Sequence, residues 1–319
     1  MTDQPEYQSP KRDVTGIFLL DKPDGISSNE ALQRVKRIFG AKKAGHTGSL
    51  DLIATGLLPI CFGEATKVCA FLLDADKRYA SEFQLGVVTN TGDREGSIVR
   101  RSTNVTLDAA SIERTLARFR GEIEQVPPMF SALKRDGQPL YKLARKGIAV
   151  ERKPRPVTIY QLDSMGLRDG DLLRVEISCS KGTYIRTLAE DIGEILKCGA
   201  HVSELRRLKV GPYSIDDSLS LDELTKISKM PDSYLGLDRL LLTADTALVD
   251  LPDIYLSDES AFNIKRGQAI RVCNAPEVGF VRLYISGHQF IGVGIVLDDG
   301  RIAPRRLIRE GRSIGGAKS

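Results

Sequence analysis

The chain has 319 residues, which exceeds the size of one comfortable hydrophobic core and predicts two domains. A hydrophobic content of 41% and a charged content of 28% are ordinary for a soluble globular protein, and a net charge of +4 does not by itself indicate a polyanionic partner. Five cysteines without a C-x-x-C pair and three scattered histidines argue against a zinc site, a metal cluster or a disulfide framework, so we expect reduced thiols, a cytoplasmic protein and no metal.

The N-terminal end is polar and contains two prolines, without the apolar segment of a signal peptide. We therefore expect residues 1–14 to form a disordered tail. No apolar run approaches the length of a membrane-spanning helix, so no association with a membrane is predicted.

A short strand and a capped helix open the folded part of the chain. Residues 16–20 form an apolar run typical of a buried strand, and the turn sequence of residues 21–25 ends it. Ser27 and Glu30 form a capping-box pair that predicts the start of a helix, which Gly40 ends. The end of this helix is basic through Lys36, Arg37, Lys42 and Lys43. These cations either lie in solvent, favoured by the helix dipole, or contact phosphate.

The most distinctive stretch is a Gly-rich loop at residues 43–56, with the sequence KAGHTGSLDLIATG. Three glycines within twelve residues allow positive φ and the close approach of a bulky ligand. Asp51 is the only acidic residue between Ala44 and Leu58. It is therefore either a turn or cap residue, which is the common use of aspartate, or a reactive carboxylate.

The segment after the loop predicts a helix, a strand and a turn. The helix covers residues 63–73, and residues 79–87 predict a half-exposed strand because polar and apolar side chains partly alternate. Tyr79, at the start of this strand, is either a core residue at the strand edge or, beside a base-binding pocket, a platform on which a base stacks. Residues 89–96 form a polar turn.

A surface helix is predicted over residues 106–120, and an unusual segment follows at about 125–156. This segment is basic, is interrupted by Pro and Gly and has few apolar anchors. Long loops of this kind are either solvated or functional, and basic residues interspersed with Tyr and Pro suit the binding of a nucleic-acid backbone, which is the interpretation we favour. The candidate contacts are Lys134, Tyr141 and Arg145.

Paired strands are predicted at residues 157–162 and 172–179, because apolar and polar side chains alternate in the second. The run KGTYIR at residues 181–186 then leads into a helix. Arg186 lies in the first turn of this helix, where the helix dipole disfavours a cation. A local rule broken in this way suggests that Arg186 has a partner elsewhere in the fold.

The chain changes character over residues 251–319. Short apolar strands at 280–285 and 290–296, separated by Gly-containing turns, predict a small β-rich domain. The end of the chain is basic through Arg301, Arg305, Arg306, Arg309, Arg312 and Lys318. It is either a solvated end or, beside the β-rich domain, a surface that binds phosphate.

Four motifs resemble those of the bacterial TruB-type tRNA pseudouridine synthases, in the expected order, between about Thr15 and about Arg312. They are KPxG at 22–25, GHTGSLD at 45–51 with ATG at 54–56, KGTYIR at 181–186 and GAHVxxLRR at 199–207. The resemblance implies an α+β pseudouridine-synthase fold, with a mixed, largely antiparallel sheet flanked by helices over residues 15–250. It also implies a thumb-like insertion at about 125–156 and a C-terminal PUA-like RNA-binding barrel at 251–319.

The same resemblance implies roles for individual residues. Asp51 is the essential catalytic residue, Arg186 pairs with it, and Tyr79 lies against the target base. His46 either fills the gap left by a flipped base or is a turn residue. The residues implied in RNA or base contacts, besides His46, are Lys22, Lys67, Tyr184, Leu205, Arg206, Arg207, Lys134, Tyr141 and Arg145.

The reaction implied by the resemblance is the conversion of uridine 55 in the T loop of tRNA to pseudouridine. The base is flipped out, the bond between ribose C1′ and uracil N1 is cut, and the turned base is rejoined through C5. No cofactor is needed, and we expect tRNA to be the only partner of a monomer. Asp51 acts either as a nucleophile or as a general base, and Arg186 is expected to lower its pKa and keep it charged.

Two departures and two alternatives accompany this interpretation. Leu52 stands where the family usually has proline, which removes a restraint on the backbone of Asp51, and Asn90 stands where an acidic residue is common. A non-catalytic RNA-binding or RNA-folding factor could use the same surface, and a tRNA-folding role could accompany catalysis. A guide-RNA-dependent relative is disfavoured by the thumb-like segment and by the free-standing length of the chain.

Overall fold

The computed structural model describes residues 11–102, 107–135 and 137–309. The strands of these residues are β1 (Gly16–Lys22), β2 (Ala44–His46), β3 (Ala54–Phe62), β4 (Lys77–Leu85), β5 (Val87–Thr89), β6 (Ile98–Arg101), β7 (Gly121–Gln125), β8 (Lys134–Arg135), β9 (Gln138–Pro139), β10 (Arg155–Arg168), β11 (Leu172–Cys179), β12 (Ala200–Val210), β13 (Tyr213–Ser214), β14 (Leu219–Ser220), β15 (Asp253–Tyr255), β16 (Phe280–Ile285), β17 (Gln289–Val296) and β18 (Ile302–Leu307). The α-helices are α1 (Ser28–Ile38), α2 (Cys69–Asp74), α3 (Ala109–Ala117), α4 (Leu140–Ala144), α5 (Ile185–Ile195), α6 (Leu221–Ser228), α7 (Ser233–Asp238) and α8 (Asp258–Lys265).

A large mixed sheet forms the centre of the molecule. Its strands follow the order β14-β1-β3-β12-β4-β11-β10-β7, with β2 paired to β3 and β13 paired to β12. Only the pairs β1–β14 and β3–β12 of this sheet are parallel among the described strands. This confirms the predicted α+β fold with a largely antiparallel sheet.

The apolar runs predicted as strands are buried because both sides of the sheet are covered. In β1, Phe18 and Leu20 pack in one apolar cluster, whereas Ile17 and Leu19 pack in a second cluster on the opposite side. In β11 the alternating apolar residues are buried and β11 pairs antiparallel with β10, as predicted. Period-two alternation in β11 therefore placed its apolar side chains in the core.

Helix starts are set by side-chain caps, which differ in detail from the predictions. Ser27 Oγ accepts a hydrogen bond from the Glu30 N–H at 3.1 Å, as expected of an N-cap. The Glu30 carboxylate instead contacts Arg34 at 2.6 Å, so the predicted capping box is only half formed. The helix predicted from residue 106 begins at Ala109, because Asp108 is its N-cap.

The predicted N-terminal tail is wrong for residues 12–14. Val14 is buried in the core, and Arg12 lies over the ring of Tyr234 and forms an ion pair with Asp238. The earlier part of the predicted tail lies outside the described residues. These contacts extend the folded part toward the N-terminus, because an apolar residue and a cation both find partners there.

The segment predicted to be a thumb-like insertion connects β7, at the edge of the sheet, to its neighbour β10. The strand before it ends at Gln125 and the strand after it begins at Arg155, and these two residues are register partners in the β7–β10 pair. Between them lie the β8–β9 hairpin and the short helix α4. The insertion therefore starts and ends at one point of the sheet edge.

The C-terminal strands form the predicted small β-rich unit. Their sheet has the order β15-β16-β17-β18 and packs with α8 around its own apolar cluster. Phe280 also contacts Phe71 edge-on, with ring centroids 5.4 Å apart, so this sheet packs against the segment that holds α2. The domain boundary at residue 250 stays a prediction, and Arg312 and Lys318 of the basic end lie outside the described residues. No helix in the described ranges is long and apolar enough to cross a membrane.

Candidate active site

The Gly-rich loop holds Asp51 by fixing both of its neighbours. Ser28 Oγ accepts a hydrogen bond from the Leu50 N–H at 2.7 Å and donates to the Leu50 carbonyl at 3.0 Å. The Leu52 carbonyl accepts from the Gly25 N–H at 3.0 Å. Backbone groups of Leu50 and Leu52, the two neighbours of Asp51, are thus anchored to the segment that leads into α1. This supplies a restraint in a chain without a proline at position 52.

Lys22 supports this loop from below. Its side chain is fully buried, and Nζ donates to the carbonyls of Pro23 at 2.8 Å, Ile26 at 2.7 Å and Leu52 at 3.4 Å. Burial lowers the pKa of Lys22 to about 8. The Lys22 amine is enclosed and bonded to carbonyls, so in this structure it supports the loop. Its predicted contact with RNA stays a prediction.

Arg207 performs a similar function at the other side of the loop. It is 2% exposed, and it donates from Nε to the Leu57 carbonyl at 2.7 Å and from Nη2 to the Gly48 carbonyl at 3.1 Å. Gly56 has φ +98° and lies so close to Arg207 that a Cβ would stand 2.4 Å from the Arg207 carbonyl oxygen. The Arg207 side chain is therefore buried beneath the loop and joins Gly48 to Leu57. Its predicted contact with RNA stays a prediction.

Asp51 is paired with Arg186, as the resemblance implied. Asp51 Oδ2 lies 2.9 Å from Arg186 Nε, and the arginine side chain is 5% exposed whereas that of Asp51 is 45% exposed. Arg186 also donates to the Thr91 carbonyl at 2.9 Å and to the Phe130 carbonyl at 2.7 Å. The guanidinium is thus fixed on three sides, while nearly half of the Asp51 side chain stays exposed.

A second carboxylate, Asp93, shares the Arg186 guanidinium, and residue-level reasoning did not single it out. Asp93 Oδ2 lies 3.7 Å from Arg186 Nη1, and its side chain is almost buried. Its other oxygen accepts from Thr91 Oγ1 at 2.6 Å and from the Glu95 N–H at 3.1 Å. Its position in the polar turn at residues 89–96 was visible in the sequence. No local sequence pattern showed that this turn lies beside Asp51.

The electrostatics of Asp51 differ from the expectation. Desolvation raises its pKa, Arg186 and Lys22 oppose this effect, and the negative charge of Asp93 reinforces it, so that the pKa of Asp51 is raised. Arg186 lowers the pKa of Asp51, as expected, but the desolvation effect is larger and the net shift is upward. Nearly half of the Asp51 side chain is exposed, but protein atoms surround the carboxylate. Desolvation therefore raises the pKa of Asp51 by more than the Arg186 guanidinium lowers it.

Tyr79 and Tyr184 lie close enough to Asp51 for its charge to affect their pKa values. Burial raises the pKa of Tyr79, and Arg207 beside it opposes this effect. Tyr184 is the N-cap residue of α5, and burial also raises its pKa. Both phenols therefore remain protonated at neutral pH.

His46 and Leu205 complete the surroundings of the loop. Burial and the nearby Arg207 charge lower the pKa of His46, which makes it a neutral imidazole, and its Nδ1 is buried without a hydrogen-bond partner. Leu205 pairs in register with Ala54 across β12 and β3 and lines a cleft of about 480 Å³ that Ile53 of the loop also lines. A neutral ring and an apolar side chain suit contact with an uncharged base.

The remaining predicted RNA contacts separate into two groups. Arg206 is partly exposed at the cleft and forms a two-pronged ion pair with Asp21, at 3.0 and 2.7 Å. Lys67 pairs with Glu64 and donates to the carbonyl of Leu307 at 2.6 Å, so it links the turn before α2 to the C-terminal sheet. Its predicted RNA contact stays a prediction. The contacts predicted on the insertion are Lys134, Tyr141 and Arg145.

On the insertion, Lys134 and Arg145 are exposed, and the Arg145 guanidinium lies 5.6 Å from the centroid of the Tyr141 ring. The same insertion reaches the Asp51 site through Phe130, whose carbonyl accepts a hydrogen bond from Arg186. Among residues 11–102, 107–135 and 137–309, no group of three His, Cys, Asp or Glu side chains could hold a metal ion.

Comparison with known families defines the class of this chain. Residues 36–185 match the family described as TruB family pseudouridylate synthase (N terminal domain). Residues 186–249 match the tRNA pseudouridylate synthase B C-terminal domain, and residues 252–308 match the domain described as Pseudouridine synthase II TruB, C-terminal. The chain is therefore a pseudouridine synthase, an isomerase. The likeness of the last segment to a PUA-type domain stays a prediction.

Individual relatives place the chain within that class. It is 54% identical over 301 residues to the tRNA pseudouridine synthase B of Ectopseudomonas mendocina (strain ymp), covering 94% of this chain and 97% of the relative. It is 55% identical over 300 residues to the protein of the same name from Coxiella burnetii (strain RSA 493 / Nine Mile phase I), covering 94% and 96%. The chain belongs to the TruB family of pseudouridylate synthases.

Solved structures agree on the fold. A chain from the structure of an H/ACA RNP bound to a substrate RNA containing 2′-deoxyuridine aligns with a TM-score of 0.70 at 20% identity, covering 97% of this chain and 92% of that one. A chain of a Cbf5-Nop10-Gar1 complex aligns with a TM-score of 0.69 at 23% identity, covering 97% and 90%. At this identity the likeness confirms the pseudouridine-synthase fold.

Proposed function

We propose that this protein converts uridine 55 in the T loop of tRNA to pseudouridine, with Asp51 as the catalytic residue. The observation that carries the proposal is the pairing of the half-exposed Asp51 carboxylate with the buried Arg186 at 2.9 Å. The substrate class is supported by relatives named tRNA pseudouridine synthase B that match over nearly the whole chain.

The reaction is an isomerisation in which atoms and charges balance within the uridine. The bond between C1′ and N1 breaks, the base turns, and a bond between C1′ and C5 forms, after which the C5 proton leaves to solvent and N1 gains a proton. Asp51 attacks the sugar as a nucleophile or removes a sugar proton as a general base. Either step requires the ionised carboxylate, which Arg186 orients and stabilises.

The target base must leave its stack in the folded RNA before it reaches Asp51. Extrusion costs a few kcal/mol, and stacking on an aromatic ring returns about 1–3 kcal/mol. The Tyr79 ring supplies such a platform, and the Leu205 side chain supplies an apolar contact. His46 is neutral, so it can occupy the position of the flipped base without introducing a charge into the RNA stack.

Phosphate contacts lie away from the reacting atoms. Lys134 and Arg145 on the insertion are exposed cations beside the Tyr141 ring, an arrangement that suits a nucleic-acid backbone. Arg206 remains partly exposed at the cleft. These residues increase affinity in a salt-dependent way without taking part in the chemistry.

A single chain carries the sheet, the catalytic loop and the insertion, and we propose that it acts as a monomer without a protein partner. Its five cysteines are unpaired, which supports action in the reducing cytoplasm. A rate per enzyme molecule that is independent of protein concentration would be expected of a monomer; a rate that rises with concentration would contradict it.

The test of substrate and position is the mapping of pseudouridine in an unmodified tRNA transcript after incubation with the protein. Carbodiimide treatment followed by primer extension should show one new stop, at position 55. A transcript with cytidine at position 55 is the matched control and should show none. A stop at another uridine, with none at 55, would overturn the positional assignment while leaving the activity intact.

A further inference from the structure

The root of the insertion is bonded directly to the helix that carries Arg186. Gln125 is the last residue of β7 and is 2% exposed. Its Oε1 accepts from the Tyr184 N–H at 3.0 Å, and its Nε2 donates to the Tyr184 carbonyl at 3.3 Å. One buried carboxamide therefore satisfies both backbone groups of a single residue, an arrangement that fixes the orientation of the amide.

Tyr184 is the residue that starts α5, two positions before Arg186. Its own side chain makes no capping hydrogen bond, and its carbonyl also accepts the first helical bond, from the Leu188 N–H at 3.1 Å. The start of α5 is therefore fixed from outside the helix, by Gln125. A change in this anchor moves the first helical turn, which is the part of the helix that carries Arg186.

A second contact joins the same two parts of the molecule. Arg186 Nη2 donates to the carbonyl of Phe130, which belongs to the insertion, while Arg186 Nε contacts Asp51. Gln125 and Phe130 thus hold the start of α5 and the guanidinium itself. Both contacts come from the segment that the sequence predicts to engage RNA.

We propose that Gln125 is a positioning residue of the catalytic site: by holding both backbone groups of Tyr184, it fixes the start of α5 and with it the contact of Arg186 with Asp51. The inference rests on the proposed catalytic pair. It makes the root of the insertion part of the machinery that aligns Asp51, so that this segment contributes to the chemical step as well as to affinity.

The test is single-turnover tritium release from C5-labelled uridine in a T-arm hairpin, at saturating enzyme, together with the Kd for the hairpin. Gln125→Ala is expected to slow the rate constant by about 10- to 100-fold, because misplacement by about 1 Å can cost this much. The Kd should stay within about twofold, because the amide touches no surface that RNA can reach. Gln125→Glu keeps the acceptor for the Tyr184 N–H and loses the donor, so an intermediate rate is expected.

A pH–rate profile separates positioning from a general loss of stability. Weaker contact between Arg186 and Asp51 raises the pKa of Asp51, so the acid limb of the Gln125→Ala profile should move to higher pH. Glu124→Ala, at an exposed position of the same strand, is the matched control and should leave the rate, the Kd and the acid limb unchanged.

Rates of both Gln125 variants within twofold of wild type, in folded protein, would overturn the proposal, and so would a loss confined to Kd. If Gln125→Ala does not fold, the near-isosteric Gln125→Glu decides by the same criteria. Asp51→Asn in the same assay separates failure of the proposed catalytic pair from failure of the inference about Gln125. An active Asp51→Asn variant would refute the catalytic pair itself. An inactive Asp51→Asn variant together with fully active Gln125 variants would refute only the role of Gln125.

Discussion

Replacing Lys22 with methionine should change how the stability of the fold depends on pH. Burial lowers the pKa of Lys22 from 10.5 to about 8, whereas the unfolded chain keeps the ordinary value. Between these two values the unfolded chain holds a proton that the folded protein has lost, so stability rises with pH across the window. Below the window the charged, enclosed amine costs the fold stability.

The magnitude follows from the two pKa values. The difference between 10.5 and about 8 corresponds to about 3 kcal/mol at 1.36 kcal/mol for each pKa unit. Urea-induced unfolding of wild type and Lys22→Met at about pH 7 and about pH 10 samples most of it, so the stability of wild type relative to the variant should rise by about 2–3 kcal/mol. Lys77, whose pKa is also lowered to about 8, titrates in both proteins and cancels from the comparison.

Lys229→Met, at an exposed position, is the matched control and should show no such dependence. A difference between wild type and Lys22→Met that stays constant from pH 7 to pH 10 would refute the reasoning. Lys22 would then not be a cation enclosed beneath the catalytic loop, and its assignment as a support of Leu52 would fall with it.

Three further changes test other parts of the account. Asp93→Asn should move the acid limb of the rate profile to lower pH, because the charge of Asp93 raises the pKa of Asp51; an unmoved limb would contradict the shared guanidinium. Gly56→Ala should destabilise the fold by about 3 kcal/mol or more in urea unfolding, whereas Gly45→Ala, with open space at its Cβ, should cost less than about 1 kcal/mol; equal effects would contradict the close approach. Lys67→Ala should lower the melting temperature, because this lysine bonds to the Leu307 carbonyl. The Kd for a T-arm hairpin should stay within about twofold of wild type; a large rise in Kd would identify Lys67 as an RNA ligand.

Elements with strong local patterns could be predicted from the sequence. The apolar run of β1, the N-cap at Ser27 and the alternation in β11 each depend on residues close in the chain, and each was confirmed. The position of Arg186 in the first turn of α5 also correctly indicated an anionic partner, because the helix dipole disfavours a cation there. That partner is Asp51, which is 135 positions away in the numbering and was identified through the family resemblance.

The parts that could not be predicted depend on packing between distant segments. The family resemblance predicted RNA contacts for Lys22 and Arg207. Both side chains are buried, and only the fold shows that they donate hydrogen bonds to backbone carbonyls in and around the loop. Asp93 reaches Arg186 because its turn docks against β12, where Asp93 forms a bridge with Val202. The raised pKa of Asp51 follows from that enclosure, which no local pattern encodes.

The central claim is that Asp51, held by Arg186, breaks and remakes the bond between base and sugar. The most direct measurement is tritium release from C5-labelled uridine in a T-arm hairpin, comparing wild type with Asp51→Asn. We expect release by wild type and none by the variant, with the same Kd for the hairpin. Release by the variant would contradict the catalytic role of Asp51. No release by either protein, with tight and salt-sensitive binding, would favour an RNA-folding factor.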